Sequence, residues 1–429
     1  MANRFRLVCL ICLGVLPVLA QTPPSGTPAA RRVVQAALTA LGGEARWRAV
    51  QNLKIEGVGF TNMIEQSERP EGPWITVYEQ VSELRDLTAL RVRRTAQQRF
   101  MQTPDWTGGV TVIADGIAVT ERGERKFPGT PQTVREAAEQ LPLAPERVCF
   151  TALAAPDLKT EKDALLFGVA HRVVSFGYQG GTARLFINAE NQLLDAVETV
   201  RAYPDDFFLG VWGDTTIRTT LTNWQVVNGV RYPHEFNTEW NGMPHKRFSV
   251  TSLKFNEPVA ADAFAIAPEM RAAFEKAAAG AVPTRALELG QVGTAKRPVQ
   301  EFTKEVVAFY GVYTVTLVRQ PDGLVILEAP LTGNYSQKVL AEAERRFPGV
   351  PVKAVVSTGD AWTYIGGVRE YVARGIPVYA LDWNKPILER LIKAPFRFVP
   401  DTLARQPRAP KFNFVSGKTV IGAGENRIE

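Results

Sequence analysis

The stretch VVSTGDAWTYIGG, Val355 to Gly367, reads as an apolar strand, a short loop and the opening of a helix. Loops at the C-terminal ends of strands in layered α/β sheets are where ligands usually bind. This one offers a single carboxylate, Asp360, flanked by Trp362 and Tyr364. An acid, an indole and a phenol can line a binding pocket. They do not by themselves make a metal centre or a nucleophile with its base.

The rest of the chain adds little reactive chemistry. Its three histidines are His171, His234 and His245. If Asn241-Gly242 forms a hairpin turn, residue 238 faces 245 and residue 234 faces 249. His234 and His245 then lie roughly 13 Å apart and share no metal. Outside the N-terminal pair Cys9 and Cys12 there is no Cys-x-x-Cys, and there is no nucleophile elbow, phosphate loop or dinucleotide fingerprint. GAGENR near the end reads as a turn. The expected catalytic set is therefore empty.

The N-terminus reads as a secretory signal over residues 1–20. Arg4 and Arg6 precede the apolar run Leu7 to Ala20, which is shorter than the ~20 residues that span a bilayer. This predicts an exported, periplasmic or extracellular protein that does not span a membrane once the signal is removed. Cys9 and Cys12 fall in that segment. Cys149 is left alone, so no intramolecular disulfide can form, and its setting ERVCFTAL suits a buried apolar side chain. The net charge of +6 is scattered, with short clusters such as Arg91-Arg93-Arg94, and does not form a nucleic-acid footprint.

Elements must position that loop. RRVVQAALTAL, Arg31 to Leu41, is an amphipathic helix ended by Gly42-Gly43. From Leu53 to Ala267 the pattern turns to period two, in runs such as LKIEGVGF, HRVVSFGY and TARLFINAENQLLDAVETV. Asp115-Gly116, Asn228-Gly229 and Asn241-Gly242 mark the hairpins, and a helical insert covers Thr133 to Leu153. Arg271 to Pro298 reads as a linker or a marginal helix. Beyond it come two strands joined by Pro321-Asp322-Gly323, and a helix from Ser336 to Phe347. A strand from Val352 to Ser357, a helix from Gly366 to Arg374 and a strand from Ile376 to Leu381 follow. A last helix, capped by Asn384, runs through Ile392. Such alternation predicts parallel strands.

The region from Val307 to Glu429 resembles the first half of the metallo-β-lactamase fold. GLVILEAPL is similar to that family's strand pair and EAP turn. SQKVLAEAERRFPGVPVKAVVSTG and IGGVREYVARGIPVYALDWNKPILERL resemble the elements before and after its metal loop. That loop reads Thr-His-x-His-x-Asp-His before a Gly-Gly pair. Counted back from Gly366-Gly367, Gly359, Ala361, Thr363 and Tyr364 stand at the ligand positions. The resemblance thus implies a degenerate metal site with no cofactor expected, zinc being required only if the degenerate reading fails. Asp360, Trp362 and Tyr364 remain as a possible reused binding pocket. VSGKTVIGAGENRIE looks like the start of the second half, so one face of this sheet is expected to stand bare and to favour self-association or a partner protein.

Residues 30 to 267 resemble the curved sheet of periplasmic lipoprotein carriers, through ALTALGGEARWRAVQNLKIEGVGF, NWQVVNGVRYPHEF and NEPVAADAFAI. That resemblance implies a concave face holding an acyl chain, with Trp74, Tyr78, Phe176, Tyr178, Phe186, Trp224, Phe236 and Trp240 as candidate lining. The expected architecture has two domains. An N-terminal α+β domain carries a curved antiparallel sheet, an open half-barrel, at 30–267. A C-terminal α/β, partial metallo-β-lactamase-like αββα sandwich spans 300–429. Linkers are expected at 21–29 and 268–299. The expected function is non-catalytic binding of an apolar or lipid ligand. The alternatives are a metal-dependent hydrolase of the metallo-β-lactamase superfamily and a periplasmic lipid or lipoprotein carrier.

Overall fold

The computed structural model describes residues 26–66, 72–101, 103–290 and 299–429. The expected signal segment, with Cys9 and Cys12, lies outside these residues. Sheet A comprises β1 (Asn52–Asn62), β2 (Thr76–Asp86), β3 (Arg91–Phe100), β4 (Thr107–Ala114), β5 (Ile117–Arg122), β6 (Arg125–Pro128), β7 (Lys159–Thr160), β8 (Ala164–Leu166), β9 (Val169–Tyr178), β10 (Gly181–Asn188), β11 (Leu194–Ala202), β12 (Asp214–Val227), β13 (Val230–Trp240) and β14 (Met243–Phe255). Its order is β6-β5-β4-β3-β2-β1-β14-β13-β12-β11-β10-β9-β7, with β8 also on β9. The path runs from β6 to β7 without closing. The expected Asp-Gly and Asn-Gly hairpins are present, with positive φ at both residues of each pair, as type I′ turns require.

One face of sheet A carries helices. α1 (Pro28–Ala40) starts at Thr27, whose hydroxyl accepts from the Ala30 amide, and ends before Gly42 and Gly43, both at positive φ. The short α2 (Glu44–Arg48) follows, burying Trp47, and α3 (Pro131–Gln140) and α4 (Val148–Ala154) form the insert. Val34 and Leu38 of α1 and Val148 and Ala152 of α4 pack on Leu53, Ile55, Leu185, Ile187 and Tyr232. Each Leu or Ile buried here contributes about 1.5–3 kcal/mol. Residues expected as linker form α5 (Pro268–Ala279), which buries Phe274 against Ile117 and Val119.

Sheet B is mixed. Its order is β15 (Val299–Glu301), β16 (Val306–Phe309), β17 (Val315–Gln320), β18 (Gly323–Leu327), β19 (Val352–Ser357), β20 (Val378–Leu381) and β21 (Phe412–Val415), parallel from β18 onward. α6 (Gly333–Arg346), α7 (Trp362–Ile365), α8 (Val368–Ala373), α9 (Lys385–Lys393) and α10 (Thr402–Arg405) follow its strands. Val339, Tyr371, Leu388 and Leu403 cover one face, with Leu324, Ile326, Val355 and Val378 beneath them.

The other face is not bare, which corrects the expectation from sequence. Residues 416–429 fold back across it, closed by an Ile421–Ile428 bridge. Ile421 and Ile428 pack on Val318, Val325 and Ala354. The Gln320 amide secures the segment by donating to the carbonyls of Ile421 (3.0 Å) and Asn426 (2.6 Å). Leu327, Val356 and Tyr379 stay half-buried, so cover is partial.

The two sheets share one core. Ile64, Tyr203, Leu209, Val211, Trp212 and Met243 from the sheet A side belong to the same buried cluster as the helix-covered face of sheet B. An ion pair crosses this seam: the buried Asp214 accepts from the exposed Arg397 side chain at 2.8 Å and from the amides of Arg397 and Phe398.

Candidate functional site

The loop that follows β19 is held at every step. The Thr358 hydroxyl donates to the Glu328 carboxylate at the end of β18. Burial pushes that carboxyl above its ordinary range, against the opposing effect of the Thr358 hydrogen bonds. Glu328 and Leu331 both sit at positive φ, a strained conformation for such side chains. Asn384 gives α9 no side-chain cap; instead its amide donates to the Gly359 carbonyl at 3.1 Å. A Cβ on Gly359 would meet the Tyr364 ring at 2.9 Å. Gly366 and Gly367 let the helix approach the EAP turn: a Cβ there would lie 1.9 Å from the Leu331 carbonyl oxygen and 2.2 Å from Ser336 Oγ.

The centre of the loop is packing. Trp362 is 0% exposed and sets its ring edge-on to Trp212 at 5.0 Å, with Trp240 at 6.2 Å. Its amide donates to the Glu65 carbonyl at 3.1 Å. Thr363 is buried, with its hydroxyl 2.5 Å from the Tyr313 hydroxyl. Tyr364, 37% exposed, packs edge-on against the Tyr313 ring, and Asp360 is half-buried. Trp362 therefore does not line a pocket with Asp360 and Tyr364: it is the key that locks the two sheets.

No donor set stands in its place. Gly359 and Ala361 have no donor atoms, and Thr363 is occupied. Among the described residues no three His, Cys, Asp or Glu side chains converge to hold a metal. The histidines serve structure. His171 Nε2 lies 3.0 Å from Asp195, and His234 Nδ1 lies 3.1 Å from the Tyr232 carbonyl. His245 stacks on Trp240 at 3.5 Å, with Nδ1 donating to the Asn62 carbonyl; burial pulls its pKa down to about 4. A bulge at Thr238/Glu239 brings Thr238 opposite Lys246 rather than residue 245, one residue off the expected register. Cys149 is buried, and burial raises its thiol to about 12.

The helix-bearing face of sheet A is filled as well. Beyond the core under α1 and α4, its inward positions on β2 are Glu79 and Glu83 as well as Val77 and Val81. Glu79 pairs with Lys246 (2.5 Å) and Arg94 (3.0 Å), Glu83 with Arg85 (2.6 Å), and Arg85 with the buried Glu146 (2.6 Å). The aromatic residues expected to line one cavity are dispersed. Phe176, Trp224 and Phe236 join the helix-covered core, and Trp74 and Trp240 the seam. Tyr178 donates to the Glu139 carbonyl, and Phe186 packs with Val173 and Ala196.

The open apolar surface lies on the opposite face. A cleft of about 590 Å³ is lined by Val58, Phe60, Tyr78, Trp106, Arg99 and Arg247, among others. The register places Arg99, Tyr78, Phe60 and Arg247 side by side on four adjacent strands, β3, β2, β1 and β14. Gln80, Val58 and Ser249 form the next row. Val58 and Tyr78 are each 47% exposed and Trp106 42%. A second cleft, about 700 Å³, lies between β12–β13 and α9. Its walls mix charges of both signs, Asp214, Glu239 and Glu389 with Arg218, Arg390 and Lys393, beside Trp212 and Pro386.

No protein-family model matches the chain, and no curated protein does. A DUF1329-family protein from Desulfovibrio piger aligns over 57% of this chain and 98% of its own, at 10% identity and a TM-score of 0.31. A LolA-superfamily protein from Nitrosomonas europaea aligns over 55% of this chain and 97% of its own, at 7% identity and a TM-score of 0.33. A metallo-β-lactamase from Pontibacter korlensis aligns over 30% of this chain and 57% of its own, at 15% identity and a TM-score of 0.22. Likeness at this level decides neither family nor function.

Proposed function

We propose that this chain is an exported, non-catalytic binding protein that takes an apolar ligand in the cleft on the open face of sheet A. In this reading sheet B is a metal-stripped layer derived from half of an αββα sandwich. Its former metal loop serves as an interdomain key.

The observation that carries the proposal is the cleft itself. Val58, Phe60, Tyr78 and Trp106 present apolar surface to solvent on one patch. Each would gain from cover, since burying a side chain of this size is worth about 1.5–3 kcal/mol. Other exposed apolar side chains of sheet A, such as Phe127 on β6, Leu165 on β8 and Val226 on β12, are scattered over separate strands. An apolar ligand laid across β1 and β2 would cover all four residues at once.

The test is titration of the purified protein with a neutral fluorescent probe such as Nile red. Saturable binding that is weakened at least tenfold by Val58→Asp supports the proposal. Val58 and Tyr78 are half-exposed, so substituting either leaves the fold intact. No saturable binding, or binding indifferent to Val58→Asp and Tyr78→Ala, would refute it.

A further inference from the structure

We infer that the cleft on sheet A selects anionic amphiphiles: a single apolar tail lies over Tyr78 and Phe60, and the two arginines flanking them hold a carboxylate or phosphate headgroup. This rests on the binding reading above and adds a charge requirement to it.

Arg99, Tyr78, Phe60 and Arg247 are direct neighbours across four strands. Three strand spacings separate the arginine backbones by roughly 14 Å. Both side chains are long enough to reach inward over the rings between them, and both line the cleft. Their charges are poorly answered within the protein. Among the described residues Arg99 makes a 3.4 Å hydrogen bond from Nε to the Thr103 carbonyl, and no carboxylate pairs with it. Arg247 meets Glu235 only at 3.4 Å, and that carboxylate already accepts from Ser249 Oγ at 2.9 Å.

Beside the cleft, Glu235 of β13 lies opposite Ser249 and is shared between Ser249 Oγ (2.9 Å) and Arg247 (3.4 Å). Glu79 reaches the cleft only with its backbone side of the strand; its carboxylate points through to the other face, where Lys246 and Arg94 neutralise it. Gln80 and Ser249 are the other polar groups at the floor, and both are neutral. A fully apolar guest would leave two guanidinium groups at its ends with only these long contacts. An anion satisfies them, and arginine binds carboxylate or phosphate in paired hydrogen bonds. Trp106, carried at the start of β4, borders the tail end of the groove.

The experiment compares, by calorimetry on the purified protein, three probes of one chain length below their micellar concentrations, laurate, dodecyl phosphate and neutral dodecanol, and a fourth without a tail, inorganic phosphate. Laurate and dodecyl phosphate are expected to bind at least tenfold tighter than dodecanol, with affinity falling as salt rises. Inorganic phosphate alone is expected not to compete at millimolar concentration. The pair Arg99→Gln/Arg247→Gln should bring the anionic probes to the affinity of dodecanol measured on the same variant, with their salt dependence lost. Tyr78→Ala should weaken all three tailed probes together. If dodecanol matches laurate, or the double variant leaves laurate unaffected, the headgroup inference is wrong and the apolar-ligand reading stands. If inorganic phosphate competes fully, the site is an anion site with no tail groove. If no tailed probe binds, both readings fall.

Discussion

Replacing Trp362 by alanine should uncouple the two sheets. Trp362 is fully buried between Trp212 and Trp240, and its backbone is pinned to Glu65. Truncation of a buried tryptophan costs about 3–5 kcal/mol, because transfer energy is lost and a cavity remains. Two aromatic contacts, each worth about 0.5–1.5 kcal/mol beyond area, put this site near the top of that range. The cavity would open in the seam, where neither sheet can collapse without moving relative to the other. Urea unfolding followed by far-UV circular dichroism measures the loss. Wild type should unfold in one transition, and Trp362→Ala in two, with the sheet B portion melting first. Trp362→Phe, which keeps an edge contact with Trp212, should recover more than half of the loss. A loss below about 1 kcal/mol with a single transition retained would place Trp362 among ordinary surface substitutions and refute its role as the key.

Three further outcomes follow from the same geometry. Because the ligand positions hold Gly359, Ala361, Thr363 and Tyr364, the dialysed protein should contain far less than one zinc per chain by elemental analysis; near-stoichiometric zinc would contradict this. His245 is held at about pKa 4, below its ordinary 6.5. Its contribution is therefore complete above pH 6.5 and lost as pH falls toward 4, up to roughly 3 kcal/mol; His245→Phe should flatten that part of the stability–pH curve, and an unchanged slope would count against it. Gly366→Ala should destabilise by more than the ordinary surface limit of about 0.5 kcal/mol, since its Cβ would strike the Leu331 carbonyl; a neutral effect in thermal melts would show that the EAP turn yields.

Much of the scaffold was legible in the sequence. β19 spans Val352–Ser357 as its apolar run predicts, and the Asn-Gly and Asp-Gly pairs fall in hairpins. Local rules suffice there, because a glycine at positive φ and a short buried strand are decided within a few residues. What could not be read depends on distant partners. The neighbouring strands β2 and β3 were obscured because Glu79 and Glu83 take inward positions normally held by apolar residues, and their cations come from β3 and β14. Hence the row Arg99–Tyr78–Phe60–Arg247, which exists only once four strands are in register, gave no linear signal. Trp362 looked like a pocket wall because Trp212, 150 positions earlier, was not visible as its partner. The cover over sheet B rests on Ile421 and Ile428, two lone apolar residues in a polar, glycine-containing segment. The bulge at Thr238/Glu239 shifts the histidine register by one, which no hairpin count from Asn241-Gly242 anticipates.

The claim that most needs a direct measurement is the location of the ligand. A photoactivatable diazirine derivative of laurate, irradiated with the purified protein and followed by peptide mass spectrometry, reads that location. The label is expected on peptides carrying Val58–Phe60, Tyr78–Gln80 and Trp106, with unlabelled laurate suppressing it. Labelling confined to Val34, Leu38, Val148 or Ala152, beneath the helices on the opposite face of sheet A, would contradict it.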